Sequence, residues 1–123
     1  MDLTTDAVRL AMNMARVRAE VASANIARTD VPGSSPQRAD FSTALGLLRQ
    51  AAAEPSMSGD RLQAMTPAVL RASVHTDTTA ADASSGLEGE VAELETAGAD
   101  FQTLSTVMSR RFALMQLAMA GGN

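Results

Sequence analysis

Apolar or small residues fall at Leu3, Ala7, Leu10, Met14, Val17, Val21 and Ala24, a strict alternation of four and three. That spacing is the seam of a coiled coil, narrower than the apolar face of an ordinary globular helix. A second stripe with smaller side chains follows through Val8, Ala11, Ala15, Ala22 and Asn25, so a single helix offers two packable faces. The other end of the chain repeats the pattern at greater length: Leu87, Val91, Leu94, Gly98, Phe101, Ser105, Met108, Phe112, Met115 and Met119 share one seam. Two such seams predict an all-α chain of long N-terminal and C-terminal helices.

The second helix has a marked start and stop. Ser85-Gly86-Leu87-Glu88 fits the S-x-x-E capping box, in which both side chains satisfy orphan backbone amides, and Gly121-Gly122 ends the run. At 1.5 Å per residue this helix is roughly 50 Å long. Asp2 and Asp6 lie early in the first helix and Arg16, Arg18 and Arg28 late; Glu88, Glu90, Glu93 and Glu95 lie early in the second and Arg110 and Arg111 late. These charges follow each helix dipole. Laid antiparallel, the helices set the acids of each opposite the arginines of the other, which predicts an antiparallel coiled coil.

Between them, residues 34–84 carry Pro36, Pro55 and Pro67 and little periodicity. One short helix is expected over residues 40–53, with Phe41, Leu45 and Leu48 on one side, and the Thr/Asp/Ser-rich stretch 74–86 reads as an extended linker. The expected organisation is one structural unit: N-terminal helix 1–29, a turn, short helix and irregular linker over 30–86, and C-terminal helix 87–120. Aromatic residues are only 2% of the 123, all of them Phe, and Ala and Met bury little area each. Long seams on so lean a chain predict burial between subunits.

Several function classes are disfavoured. A net charge of −4 without a concentrated basic surface, and with no Trp or Tyr, argues against nucleic-acid binding. The absence of cysteine excludes thiolate chemistry and disulfides. The acidic N-terminus does not resemble a secretory signal, and no apolar run is long enough for a membrane span. His75 stands alone in a polar stretch, where a solvated loop residue is expected, and the four glutamates read as a solvated first turn rather than paired catalytic carboxylates. No enzyme activity, cofactor, metal or small-molecule substrate is expected.

Residues 24–33, ANIARTDVPG, end the first helix abruptly. Asn25 falls on the second stripe, where a buried-edge Asn sets register across helices, or else sits in a fraying last turn. Val31-Pro32-Gly33-Ser34 suits a type II turn, with proline fixing φ and glycine supplying positive φ, so the helix must end near Thr29.

The run Asn25-Ile26-Ala27-Arg28-Thr29-Asp30-Val31-Pro32-Gly33, followed by Arg38-Ala39-Asp40-Phe41, resembles the N-terminal signature of flagellar rod and hook proteins, roughly N-I-A-N-x-x-T-P-G-Y and then R-x-x-D-F. It departs at Arg28, Val31 and Ser34. The segment 87–119 is similar to that family's L-E-x-E-M-x-x-L start, and Arg110-Arg111-Phe112-Ala113-Leu114 to the R-K-F-x-x-L ending of proximal rod proteins of the FlgB type.

The resemblance implies helices packed into concentric tubular layers of a drive shaft, in the periplasmic rod of the flagellar basal body. It also implies export through the flagellar type III apparatus without a cleaved signal. The implied partners are other copies of the chain, other rod proteins, and proteins at the junction of inner-membrane ring and export gate. The subunit-packing residues expected on these grounds are Leu10, Met14, Val17, Val21, Asn25, Ile26, Pro32, Gly33, Phe41, Leu94, Phe101, Met108, Phe112 and Met115. The rival readings are a soluble helical adaptor or export chaperone, which explains the seams and acidity but not the signature, and a rod protein further from the membrane.

Overall fold

The structure, a computed structural model, describes residues 2–77 and 86–121. Its elements are α1 (Leu3–Ala27), β1 (Gln37–Ala39), α2 (Ser42–Ala53), α3 (Asp60–Ala64), α4 (Pro67–Ala72), β2 (Val74–Thr76) and α5 (Leu87–Gly121). The chain is mostly helical, and the long terminal helices α1 and α5 pack against each other more extensively than any other pair. Ser85 of the expected capping box, Gly122 of the stop and residues 78–85 of the linker lie outside the described residues.

Asp2 starts α1 by accepting the Thr5 amide at 2.8 Å. The helix ends at Ala27 and is followed by the turn: the Ser34 amide donates to Val31 O at 3.2 Å and Gly33 has φ of 78°, a type II geometry. The short helix begins at Ser42 rather than at residue 40: Phe41 is its N-cap residue, and the Asp40 carboxylate accepts the Ser42 amide at 3.0 Å in a turn just ahead of it.

The two stripes of α1 face different neighbours. Leu10, Met14 and Val17 are buried with Ala44, Leu47 and Ala51 of α2, Leu62 of α3 and Leu70 of α4 in one core, with Val21 and Phe41 half-buried against it. The second stripe lies roughly a third of a turn away at 100° per residue. Its neighbourhood includes Thr5, Arg18 and Asn25, which all bond to α5, and its buried Ala15 and Ala22 allow close approach. Leu10, Met14 and Val17, expected as subunit seam, are therefore used inside the chain.

The middle is correspondingly more ordered than its sequence suggests. Each of α3 and α4 contributes one buried leucine, and α4 starts where Thr66 accepts the Val69 amide ahead of Pro67. The stretch read as extended linker supplies β2, antiparallel to β1 with Arg38 opposite His75. His75 is thus an exposed strand residue rather than a loop residue.

On α5 the inward positions are Glu90, Leu94, Ala97, Phe101, Leu104, Met108 and Arg111, again spaced four and three. The expected seam shares only Leu94, Phe101 and Met108 with this set, while Leu87, Val91, Phe112, Met115 and Met119 are exposed. Because α5 is apolar on more than one side, period alone does not select the face. Ala97, fully buried, and the charged ends Glu90 and Arg111 do.

Candidate functional site

At one end of the α1–α5 pair a closed polar ring joins three segments distant in sequence. The Asn25 side chain donates from Nδ2 to Gln37 O at 3.0 Å and accepts the Gln37 amide at Oδ1 at 2.8 Å. Its amide thus presents to β1 the N–H and C=O that a further strand would offer, and satisfies the edge of β1 that turns away from β2. The same Nδ2 donates to Glu90 Oε2 at 3.2 Å, while Arg38 Nη1 donates to Glu90 Oε1 and Gln37 O, both at 2.9 Å. Asn25 and Glu90 are both 6% exposed.

Glu90 is therefore a buried partner and not part of a solvated first turn, as its sequence context suggested. A carboxylate removed from water requires a counter-charge and hydrogen bonds, and Arg38 and Asn25 supply them. Asn25 likewise is no fraying residue. The readable sign was that Glu90 lies four before Leu94 and seven before Ala97, so it continues the buried α5 seam.

Further along the pair, Arg18 bridges to Glu93 at 2.8 Å and Asp100 at 2.9 Å, and the Glu93 hydrogen bond is the main reason its pKa is raised. At the far end Arg111 donates to Thr5 Oγ1 at 3.0 Å and to Asp2. Hydrogen bonding from Thr5, then from Arg111, holds the Asp2 carboxyl well below the usual carboxylate range. Arg71 of α4 grips Glu20 of α1 through both carboxylate oxygens, at 2.7 and 2.8 Å, which lowers the Glu20 pKa.

Beside the ring a cleft of about 450 Å³ opens, lined by Val21, Ala22, Ala39 and Phe41 with Arg18 and Glu93 among its polar walls. Pro32 and Gly33 lie in the exposed turn nearby in sequence, and Ile26 is half-buried. At the opposite end, α5 runs on past Arg111, whose side chain bonds the start of α1, as a segment whose one polar side chain is Gln116. Phe112, Leu114, Met115, Leu117 and Met119 are 38–78% exposed there.

The residues expected to pack subunits thus divide. Leu10, Met14, Val17, Val21 and Phe41 belong to the internal core; Asn25 forms the ring; Leu94, Phe101 and Met108 face α1; and Phe112 and Met115 are left open. Sequence reasoning did not single out Gln37 or Thr5. Among the described residues no group of three or more His, Cys, Asp or Glu could hold a metal, and no helix is long and apolar enough to cross a membrane. The arrangement locks α1, β1 and α5 together at one end and leaves an exposed, largely apolar tip at the other. No known protein family, characterised protein or solved structure matches the chain.

Proposed function

We propose that the chain is a structural subunit of the bacterial flagellar basal body, a proximal rod protein of the FlgB type that assembles helically into the drive shaft. In this reading it is exported by the flagellar type III apparatus and works as a strut without catalysis. Its partners are further copies, other rod proteins and the ring and export-gate junction. The α1–α5 pair then acts as an antiparallel coiled coil, which the opposite chain order of its contacts supports: Asn25 meets Glu90, Arg18 meets Glu93 and Asp100, and Thr5 meets Arg111.

The observation that carries this reading is where the resemblance residues lie. Asn25, Arg38 and Glu90, spread over 65 positions, close one hydrogen-bonded ring through Gln37, while Asp40 accepts the Ser42 amide ahead of α2 and Phe41 packs on the core. A signature whose members brace one another between two long helices suits a part that transmits torque. Arginine pairs with good geometry stiffen such a junction.

Deleting the gene in the source bacterium is expected to abolish swimming and to leave basal bodies without a rod, and re-expression to restore both. The protein is expected in purified basal bodies. Normal swimming in the deletion strain overturns the proposal, and loss of swimming with the chain confined to the cytoplasm favours the export chaperone instead.

A further inference from the structure

Taking the chain as an assembling subunit, we propose that the tip of α5, residues 112–121, docks onto the ring end of a second copy, so that subunits join head to tail along the helix axis. The seam that α5 buries against α1 continues in register from Met108 and Arg111 to Met115 and Ala118. Asp2 caps α1 beside Arg111, so α1 does not run alongside these last positions. Apart from Gln116 the tip is apolar, with Leu114 at 66%, Leu117 at 67% and Met119 at 78% exposure. An unbroken interface therefore extends past the helix that covers the rest of it.

The opposite end supplies a matching surface. Leu87 and Val91 at the start of α5 and Val31 in the turn are exposed apolar side chains, and the cleft floored by Val21, Ala22, Ala39 and Phe41 opens at the same end. Along α1 the two ends are about 35 Å apart, at 1.5 Å per residue over 25 residues, so one molecule cannot join its own tip to its own head.

Charge selects the partner's orientation. At the root of the tip Arg110 is exposed and Arg111 is engaged by Asp2 and Thr5, whereas at the start of α5 Glu88 and Glu95 are exposed and Glu90 and Glu93 are engaged by Arg38 and Arg18. Tip against tip sets Arg110 beside Arg110. Tip against head brings the basic root of one copy toward the exposed glutamates of the next. Because the two patches differ, the contact is heterologous and leaves a free tip and a free head on every growing chain.

Sedimentation velocity of the full chain over a concentration series tests this, using Leu117→Asp at the tip and Val91→Arg at the head, with circular dichroism to confirm equal helix content. The wild-type chain is expected to grow beyond a dimer. Each variant alone shifts association to at least about tenfold higher concentration, since each loses one buried aliphatic contact. A one-to-one mixture of the variants forms a dimer and stops, because only one intact tip can meet one intact head.

Growth that ends at a dimer, with Val91→Arg indistinguishable from wild type, overturns the proposal in favour of tip-to-tip pairing. A monomer that pellets with anionic phosphatidylglycerol vesicles, and loses this in Leu117→Asp, overturns it in favour of a lipid surface. If both variants assemble as wild type, this contact is wrong while the assembling role stands. A chain that stays monomeric and ignores vesicles overturns the contact, and the deletion strain then decides the role separately.

Discussion

One amide group explains why an apolar helix ends on asparagine. Replacing Asn25 by Ala strands the Gln37 N–H, leaves Gln37 O with only its Arg38 bond, and removes one of the hydrogen bonds on Glu90. Buried polar groups left without partners cost about 1–3 kcal/mol each, so Asn25→Ala is expected to lower unfolding free energy by roughly 2–4 kcal/mol in urea titration. The Arg38 side chain is 37% exposed, and its removal leaves Glu90 its Asn25 bond and access to water. Arg38→Ala is therefore expected to cost less, about 1 kcal/mol. Equal losses in the two variants would mean that the ion pair, not the amide, organises the ring. Elsewhere on α1 two carboxylates contribute to the response to acid, Asp2 at its start and Glu20 where α4 meets it. Asp2 and Glu20 both titrate below their ordinary range, through Thr5 and Arg111 and through Arg71 respectively. A depressed folded-state pKa contributes stability that is complete above the unfolded value, about pH 4, and is lost as pH falls through the folded one. Melting temperature is expected to hold from neutral pH to about pH 5 and to fall below about pH 4, with a shallower fall in Asp2→Asn and Glu20→Gln. Unchanged acid slopes in both variants would show that other carboxylates dominate.

At the scale of the element, two glycines differ in what surrounds them, Gly59 just ahead of α3 and Gly46 inside α2. A Cβ at Gly59 would lie 2.1 Å from Asp6 Oδ2, and Asp6 is 3% exposed and bonded there to Gln63 Nε2 at 3.1 Å. Gly59→Ala forces that carboxylate off its partner and is expected to cost about 1–3 kcal/mol. Gly46 lies inside α2 with nothing within 4 Å of a new Cβ, so Gly46→Ala is expected to stabilise by about 0.5–1 kcal/mol. Thermal melts of both variants separate the two effects, and stabilisation by Gly59→Ala would contradict the close approach. Such contacts also show what the sequence conceals. The seams of α1 were readable because their apolar periods extend over several turns; the span of α2 was readable too, but its buried face is Ala44, Leu47 and Ala51, while Leu45 of the expected face is 42% exposed. The helices α3 and α4 are 5 and 6 residues long with one buried leucine apiece, too short to display a period, although the Thr66-Pro67 pair was a readable start for α4. The strands β1 and β2 have 3 residues each, and their order depends on Asn25 from another element. On α5 the period was visible but its face was not, since Leu87, Val91 and Phe112 compete with Ala97 and Leu104 at equal spacing.

For the whole molecule, the lean composition predicts burial between subunits, and the structure divides the apolar side chains into those already covered within the chain and those left exposed. The core assembled by α1 with α2, α3 and α4 needs no second copy to bury Leu10, Val17 and Leu70, each at 1% exposure or less. What remains uncovered is concentrated at the end of α5. The side chains of this segment are largely exposed, and isolated helices shorter than about 12–15 residues are marginal in water. Amide hydrogen exchange of the free chain is therefore expected to divide α5 in two: residues 94–108, held against α1, slow, and residues 113–121 at least about tenfold faster, because local opening there exposes little buried surface. Assembly is expected to slow the tip and, in the same samples, the turn around Val31 and the first turns of α5. Covering one apolar surface with another protects both. Tip amides as slow as those of residues 94–108 in the free monomer would show that the tip is already supported within the chain, and protection of the tip without any change at Val31 would place its neighbour elsewhere.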